Sequence, residues 1–452
     1  MGEIQKVMNQ SHRLIWPAVV ILSSAALLIN TYINGFPLIF PDSSDYIMLT
    51  PRIYRSPFYQ IWVFVTGWKV SLYYTVIAQA FLTSALLTLF LRVEIRATPL
   101  MVITSILSLC MFSSLPVFVS FIMPDFFTGI MFIALFMFIF RWDRLSRLMR
   151  VGLFAITVLA ISVHLSHLVM AVGIIFVGSL LNFAHQGRNF PKTGAAVAII
   201  ACALVAGAAT VYNSVVFNRF QLSPAGSTFF MANLIANGPA RAELLDTCPR
   251  AGYRLCGHLS ELSNSADEML WGEGLFVRMG GIDTMIDESR HVVAATLRHR
   301  PLEVVTASLT STLAALTTTD PTAEIVSYPE FVGRIVGLVY GPAVKARYDA
   351  AAQARDAYPR AITNLLIAVG GAVAMVTIIA NMTMTRRKDM TFVLYVFACF
   401  LGNTLVCATL SGVHDRYQSR ISWLFFLAAL VLLLARGNNG ADCDQECIEA
   451  TA

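Results

Sequence analysis

The chain has 452 residues, of which 57% are hydrophobic and 13% charged, with a formal net charge of +5 and a mean hydropathy of +0.67. An ordinary soluble domain carries about twice that charged fraction, which excludes a soluble globular enzyme. The small positive charge is spread over short connections, which excludes a nucleic-acid-binding surface and fits membrane orientation instead.

In chain order, apolar segments that reach or approach the ~20 residues needed to cross a hydrocarbon core fall at 15–38, 71–91, 98–121, 126–140, 151–167, 168–184, 194–213, 361–381, 390–410 and 421–435. They predict an all-α integral membrane protein of about ten transmembrane helices. The first segment is too long, and its flank Pro41-Asp42 too unlike a small-residue cleavage site, for a cleaved signal peptide. Placing the N-terminus inside gathers the bases on one side: Lys6 and Arg13, Arg92 and Arg96, Arg141, Arg144, Arg147 and Arg150, Arg188 and Lys192, Arg386, Arg387 and Lys388, and Arg436. Every inner connection is then short and basic, as the positive-inside rule requires, and both termini are cytoplasmic.

The organisation that follows is an N-terminal membrane core at 1–213 with an acidic first outer loop at 39–70. An extracytoplasmic subdomain follows at 214–360, then C-terminal membrane helices at 361–436 and a cytoplasmic tail at 437–452. In the first outer loop, Pro57 to Trp62 is amphipathic and suits the interface. In the long loop, 303–318 and 331–344 are moderately apolar, either interfacial or re-entrant helices or a hairpin that raises the count to twelve. Cys248 and Cys256 fall in an outer, oxidising compartment, where a disulfide is expected. Cys110, Cys202, Cys399 and Cys407 lie inside spans and act as small hydrophobes. Cys443 and Cys447, with no histidine near, do not make a metal site.

The outer side holds the residues capable of chemistry. Asp42 and Asp45 are three apart, with Tyr46 next, so a helix starting there presents all three on one face. One reading is a general base or a carboxylate pair for a divalent cation; the other is an N-cap and capping-box residue. Asp125, in Phe121 to Phe127, is a lone carboxylate in an apolar stretch, which requires a partner, a proton or a metal unless it caps the next helix. A divalent cation, Mg or Mn, held by Asp42 and Asp125 remains an open option. His164 and His167, three apart, suit a metal or phosphate, or else interhelical hydrogen bonds. The last outer loop carries His414, Asp415, Arg416, Tyr417 and Arg420. Arg416 and Arg420, at i and i+4, suit bidentate recognition of phosphate oxygens or snorkelling to headgroups. With Arg52 and Arg55 in the first loop, four outer arginines flank the acids, a combination suited to an anionic lipid phosphate. Trp271, Glu273 and Asp283 either line an acceptor site or form the core of the outer subdomain.

This pattern resembles the polytopic GT-C glycosyltransferases, which use polyprenyl-phosphate-linked sugars. The resemblance rests on Asp42-Ser43-Ser44-Asp45-Tyr46 after the first span and on Arg55-Ser56-Pro57-Phe58-Tyr59, an Arg-x-Pro-x-Tyr-like element. It rests further on Asp125 as a second outer carboxylate and on Arg416-Tyr417 before the final span. It covers roughly 10–215 and 360–436, while the long loop looks like that of bacterial membrane proteins. The resemblance implies a GT-C-like fold in a bacterial inner membrane, with the active site on the periplasmic face. It also implies a first-loop acid, Asp42 or Asp45, as base or metal-associated carboxylate. The chain lacks the Asp-Glu pair of the protein mannosyltransferases, which points to a glycan or lipid acceptor.

The expectation is therefore a transferase moving sugar from a polyprenyl-phosphate donor. Catalytic Asp42, Asp45 and Asp125 act with substrate-binding Tyr46, Arg52, Arg55, His164, His167, His414, Arg416, Tyr417 and Arg420. Two alternatives stand beside it: a transporter or lipid-linked glycan flippase, and an O-antigen-type polymerase or ligase. Charges at one face, without paired halves or broken helices, favour the enzyme over the transporter.

Overall fold

The computed structural model describes residues 2–187, 192–382 and 390–449. Among these residues the chain is helical, with no β-strand beyond one isolated parallel bridge between Leu38 and Phe121. Eight of the described helices are long and apolar enough to cross a membrane: Leu14–Asn34, Leu72–Ile95, Phe126–Arg144, Leu165–Ala184, Lys192–Phe217, Arg360–Met382, Thr391–Leu410 and Asp415–Ala435.

Two of the ten expected segments are not among these eight, for local reasons. Segment 98–121 breaks after Pro99–Phe112, and a second helix, Leu115–Ser120, follows. At the break the Ser114 hydroxyl donates to the Ser419 carbonyl at 2.6 Å, and Pro116 has no N–H for the Phe112 carbonyl four residues back, where its ring would also clash in a continuous helix. Segment 151–167 forms a helix of 16 residues, Arg147–Ser162, about 24 Å at ~1.5 Å per residue against a core of ~30 Å. It ends because His164 turns extended and caps the next helix. The first span stops at Asn34, where Gly35 takes a left-handed φ of 77° and its N–H closes onto Thr31 and Tyr32. The stretches at 303–318 and 331–344 appear as Pro301–Ala315, Arg334–Tyr340 and Pro342–Asp349, all below spanning length.

The Phe126–Arg144 helix is the centre of the bundle, with every residue from Phe126 to Phe140 buried. Small residues permit close approach in this environment: a Cβ on Gly129 would strike the Trp423 ring. The central helix has 19 residues, about 28 Å at ~1.5 Å per residue, so its two ends sit at opposite membrane faces. Asp125 precedes one end. At the other, Arg141 bonds Glu94 at 2.6 and 2.7 Å, Arg92 stacks on Trp16 at 4.1 Å and Arg150 on Trp142 at 4.5 Å. Arg188 and Arg386 to Lys388 lie outside the described residues. The final helix continues from Asp415 to Glu449.

Residues 214–360 feed three cores. Met231, Leu244, Leu255, Phe276 and Met285 form a separate apolar cluster that also takes in Ile53 of the first loop. The Cys248–Cys256 disulfide lies at its edge. Further on, Val332, Val336 and Tyr348 pack into the membrane core, and Ile325 and Tyr358 pack with Leu38 and Phe121.

Candidate functional site

The first loop is held by buried polar bonds before it offers any charge. The Ser43 hydroxyl donates to the Ile122 carbonyl at 2.8 Å and accepts from the Phe40 N–H at 3.0 Å. The Gln353 amide takes both backbone groups of Ile39, at 3.0 and 2.6 Å. A short helix, Ser43–Met48, follows. Asp42 occupies its N-cap position, yet its side chain makes no capping bond. Arg55 takes that carboxylate instead, Nη1 to Oδ2 at 2.9 Å and Nη2 to Oδ1 at 2.5 Å. Asp45 accepts from Arg55 Nε at 2.9 Å and Arg52 Nε at 3.0 Å. Arg55 thus ties the two acids together, and its guanidinium faces Tyr46, Tyr54 and Trp271 at 5.6, 5.4 and 6.0 Å. Tyr46 is buried against Tyr59, and burial pushes its hydroxyl well up.

Asp125 likewise sits at a helix start without capping it. Its carboxylate meets Arg420 Nη1 at 2.9 Å. The remaining Arg420 bonds run from Nη2 to Asn403 Oδ1 at 2.8 Å and to Cys407 Sγ at 3.2 Å. Burial pushes Asp125 up, but Arg420, Arg416 and His164 outweigh it and hold the carboxyl below its ordinary range. His167 spends both ring nitrogens inside the protein: Nδ1 on the Ala160 carbonyl at 2.6 Å and Nε2 on the Thr128 hydroxyl at 2.8 Å. That leaves no nitrogen for substrate. His164 accepts at Nδ1 from the Ser166 N–H and hydroxyl, at 3.3 and 2.7 Å. Burial and the Arg420 charge push it down to about 4, so the ring is neutral at physiological pH.

Arg416 differs from the other outer arginines. Its Nη1 stands 3.7 Å from Asp42 Oδ2, and its plane lies over Phe40 at 4.5 Å and Tyr417 at 5.1 Å. Nη2 reaches the Tyr417 hydroxyl only at 3.4 Å, and buried Nε and Nη1 donate to no protein acceptor. His414 contacts Asp267 of the outer subdomain at 3.5 Å and Tyr417 edge-on at 5.2 Å. Burial, then Arg416, lowers its pKa. Beside this cluster a groove of about 510 Å³ runs between the Arg360–Met382 and Asp415–Ala435 helices, with Phe112, Ile367, Met375 and Phe426 along it and Asp320 and Asp415 in its lining.

One end of the bundle therefore gathers Asp42, Asp45, Tyr46, Arg52, Arg55, Asp125, His164, His414, Arg416, Tyr417 and Arg420. Both Asp42 oxygens and one Asp125 oxygen already face guanidiniums. No group of three or more potential ligands forms among the described residues. Sequence reasoning missed Glu324, Gln353 and Asn403. Their signal is faint: Glu324 and Asp320 are the only charges in 316–328, and Gln353 on the Ile39 backbone and Asn403 on Arg420 act through buried bonds that spacing does not encode. The chain matches no protein-family model, no curated protein sequence and no solved structure.

Proposed function

We propose that this is a membrane glycosyltransferase that moves a sugar from a polyprenyl-phosphate donor to an envelope glycan or lipid. The observation that carries the reading is Arg416, a guanidinium among carboxylates with Nε and Nη1 unspent. When polyprenyl phosphate departs, a singly charged phosphodiester becomes a doubly charged monoester, and negative charge grows on the leaving oxygen. Preorganised donors stabilise such charge most where water is scarce. Asp42, locked by Arg55, orients Arg416. The apolar part of the adjacent groove suits a prenyl chain. The test is the envelope glycan profile of a deletion strain. Loss of one sugar, restored by the wild-type gene and not by Arg416→Ala, supports the reading, and an unchanged profile overturns it.

We place this end of the bundle on the periplasmic face of a bacterial inner membrane, because the opposite end carries Arg92, Arg141, Arg144 and Arg150. A reporter joined after Lys192 should read cytoplasmic and one within 240–290 extracytoplasmic; an outward signal at Lys192 removes this orientation.

A further inference from the structure

Glycosyl transfer also needs a group to take the acceptor's proton, and the acids at the site are unequal candidates. Asp42 gives both oxygens to Arg55. Asp45 gives one oxygen to Arg52 and one to Arg55, and Asp125 is paired to Arg420. Asp415 accepts from the Asp320 N–H, while Asp320 accepts from Thr322 and Asn364. An arginine-bound carboxylate is a poor proton acceptor, since the bond favours its charged form. Glu324 is half-buried and faces this cluster through charge alone, with no hydrogen bond or ion pair to any described residue.

Its place is fixed from both sides. The strap 316–328 is tied at Asp320, whose N–H donates at 2.8 Å to Asp415, the residue before Arg416. Beyond Glu324 the Val326 carbonyl accepts at 3.1 Å from Gln353, the same amide that holds Ile39 ahead of Asp42. Ile325 is buried with Leu38 and Phe121, and Tyr328 meets Phe40 edge-on at 6.3 Å, on the ring beneath Arg416. These ties bring Glu324 to the edge shared by Arg416 and Asp42.

We infer that Glu324 is the general base of the transfer, an assignment that rests on the transferase reading above. The acceptor oxygen bonds to the sugar's anomeric carbon as the bond from that carbon to the phosphate oxygen breaks. The electron pair leaves on the phosphate oxygen, facing Arg416, and the hydroxyl proton passes to the Glu324 carboxylate and then to water. Burial raises the Glu324 pKa; Arg416 opposes that rise, while Asp125, Asp42 and Asp415 add to it. Asp125 is displaced the other way, and two carboxyls driven apart by their surroundings are the usual sign of divided roles. A base must be ionised, so the rate falls as pH drops through a range above that of an ordinary glutamate.

The experiment uses the full chain in detergent, with the lipid-linked sugar extracted from the deletion strain as donor and that strain's envelope as acceptor. Undecaprenyl phosphate serves as a separate binding probe, read by thermal shift. Glu324→Gln should lower transfer ~100-fold or more, erase the acidic limb of the pH profile and keep the shift with undecaprenyl phosphate. Glu324→Ala should regain part of its rate when formate is added, because a small carboxylate can replace a missing base. Near-normal transfer by Glu324→Gln, or no formate rescue, overturns the base assignment and leaves the transferase reading standing. Loss of the undecaprenyl phosphate shift in Glu324→Gln overturns it too, making Glu324 part of the phosphate site. Absence of transfer by the wild type removes both.

Discussion

Arg416 and Arg420 stand one turn apart at the head of the same helix, and their surroundings differ in every respect that matters. Arg420 has no exposed side-chain surface and gives both terminal nitrogens to Asp125, Asn403 and Cys407, leaving Nε alone without a partner. Arg416 keeps 16% of its side-chain surface, stacks on Phe40 and Tyr417, and holds N–H groups in reserve. Identical chemistry has become a brace in one place and, on the reading proposed above, a receptor in the other. What separates them is the supply of acceptors: Thr391–Leu410 presents Asn403 and Cys407 to Arg420, whereas Arg416 meets mainly ring faces and a carboxylate already held by Arg55.

Removing each arginine tests that contrast directly. Arg420→Ala strands the buried Asp125 carboxylate and should cost about 3–5 kcal/mol, visible as a large drop in the thermal midpoint in detergent. Arg416→Ala should cost less than about 1 kcal/mol, the scale of a partly solvated charge with weak bonds, while losing the undecaprenyl phosphate shift. Equal destabilisation by both would erase the distinction between brace and receptor. The smallest effect concerns His164, held near 4 beside Arg420, against an ordinary value of 6.5. With the folded value depressed, the unfolded chain binds the extra proton between those two values, so stability falls as pH drops from 6.5 towards 4. His164→Asn keeps a capping residue and should flatten that part of the stability curve; an unchanged curve means His164 is not the group responsible.

Membrane class and the gathering of these charges at one end of the bundle were readable from composition and loop bias, because burial in lipid is a property of long windows. The helix breaks at Ser113 and His164 were not, since they depend on bonds to distant partners such as Ser419 and on a side-chain cap. Pairing was equally hidden. Asp42 and Asp125 sit where an N-cap would, and only the fold reveals that partners 13 and 295 residues away take their oxygens instead. Spacing put His164 and His167 on one face but gave no warning that Thr128 and Ala160 would occupy His167. Glu324 stayed invisible because what marks it is an absence: Asp42, Asp45 and Asp125 each hold an arginine, whereas Glu324 pairs with no described residue.

The bridge between Leu38 and Phe121 has a consequence for motion. The Leu38 N–H bonds Ser120 at 2.8 Å and the Ile122 N–H bonds Leu38 at 2.9 Å. Gln79 seals the Val119 and Phe121 carbonyls at 2.8 and 2.9 Å. The backbone leading into Asp42 and the backbone leading into Asp125 are therefore stitched into one block that tilts only as a unit with the central helix. On the proposed reading, room for a bulky acceptor has to come from the opposing wall, where Trp271 meets Arg55 and the Tyr54 ring and Asp267 meets His414. Amide protons at Leu38 and Ile122 should accordingly exchange among the slowest in the chain, while those around Trp271 exchange through local opening.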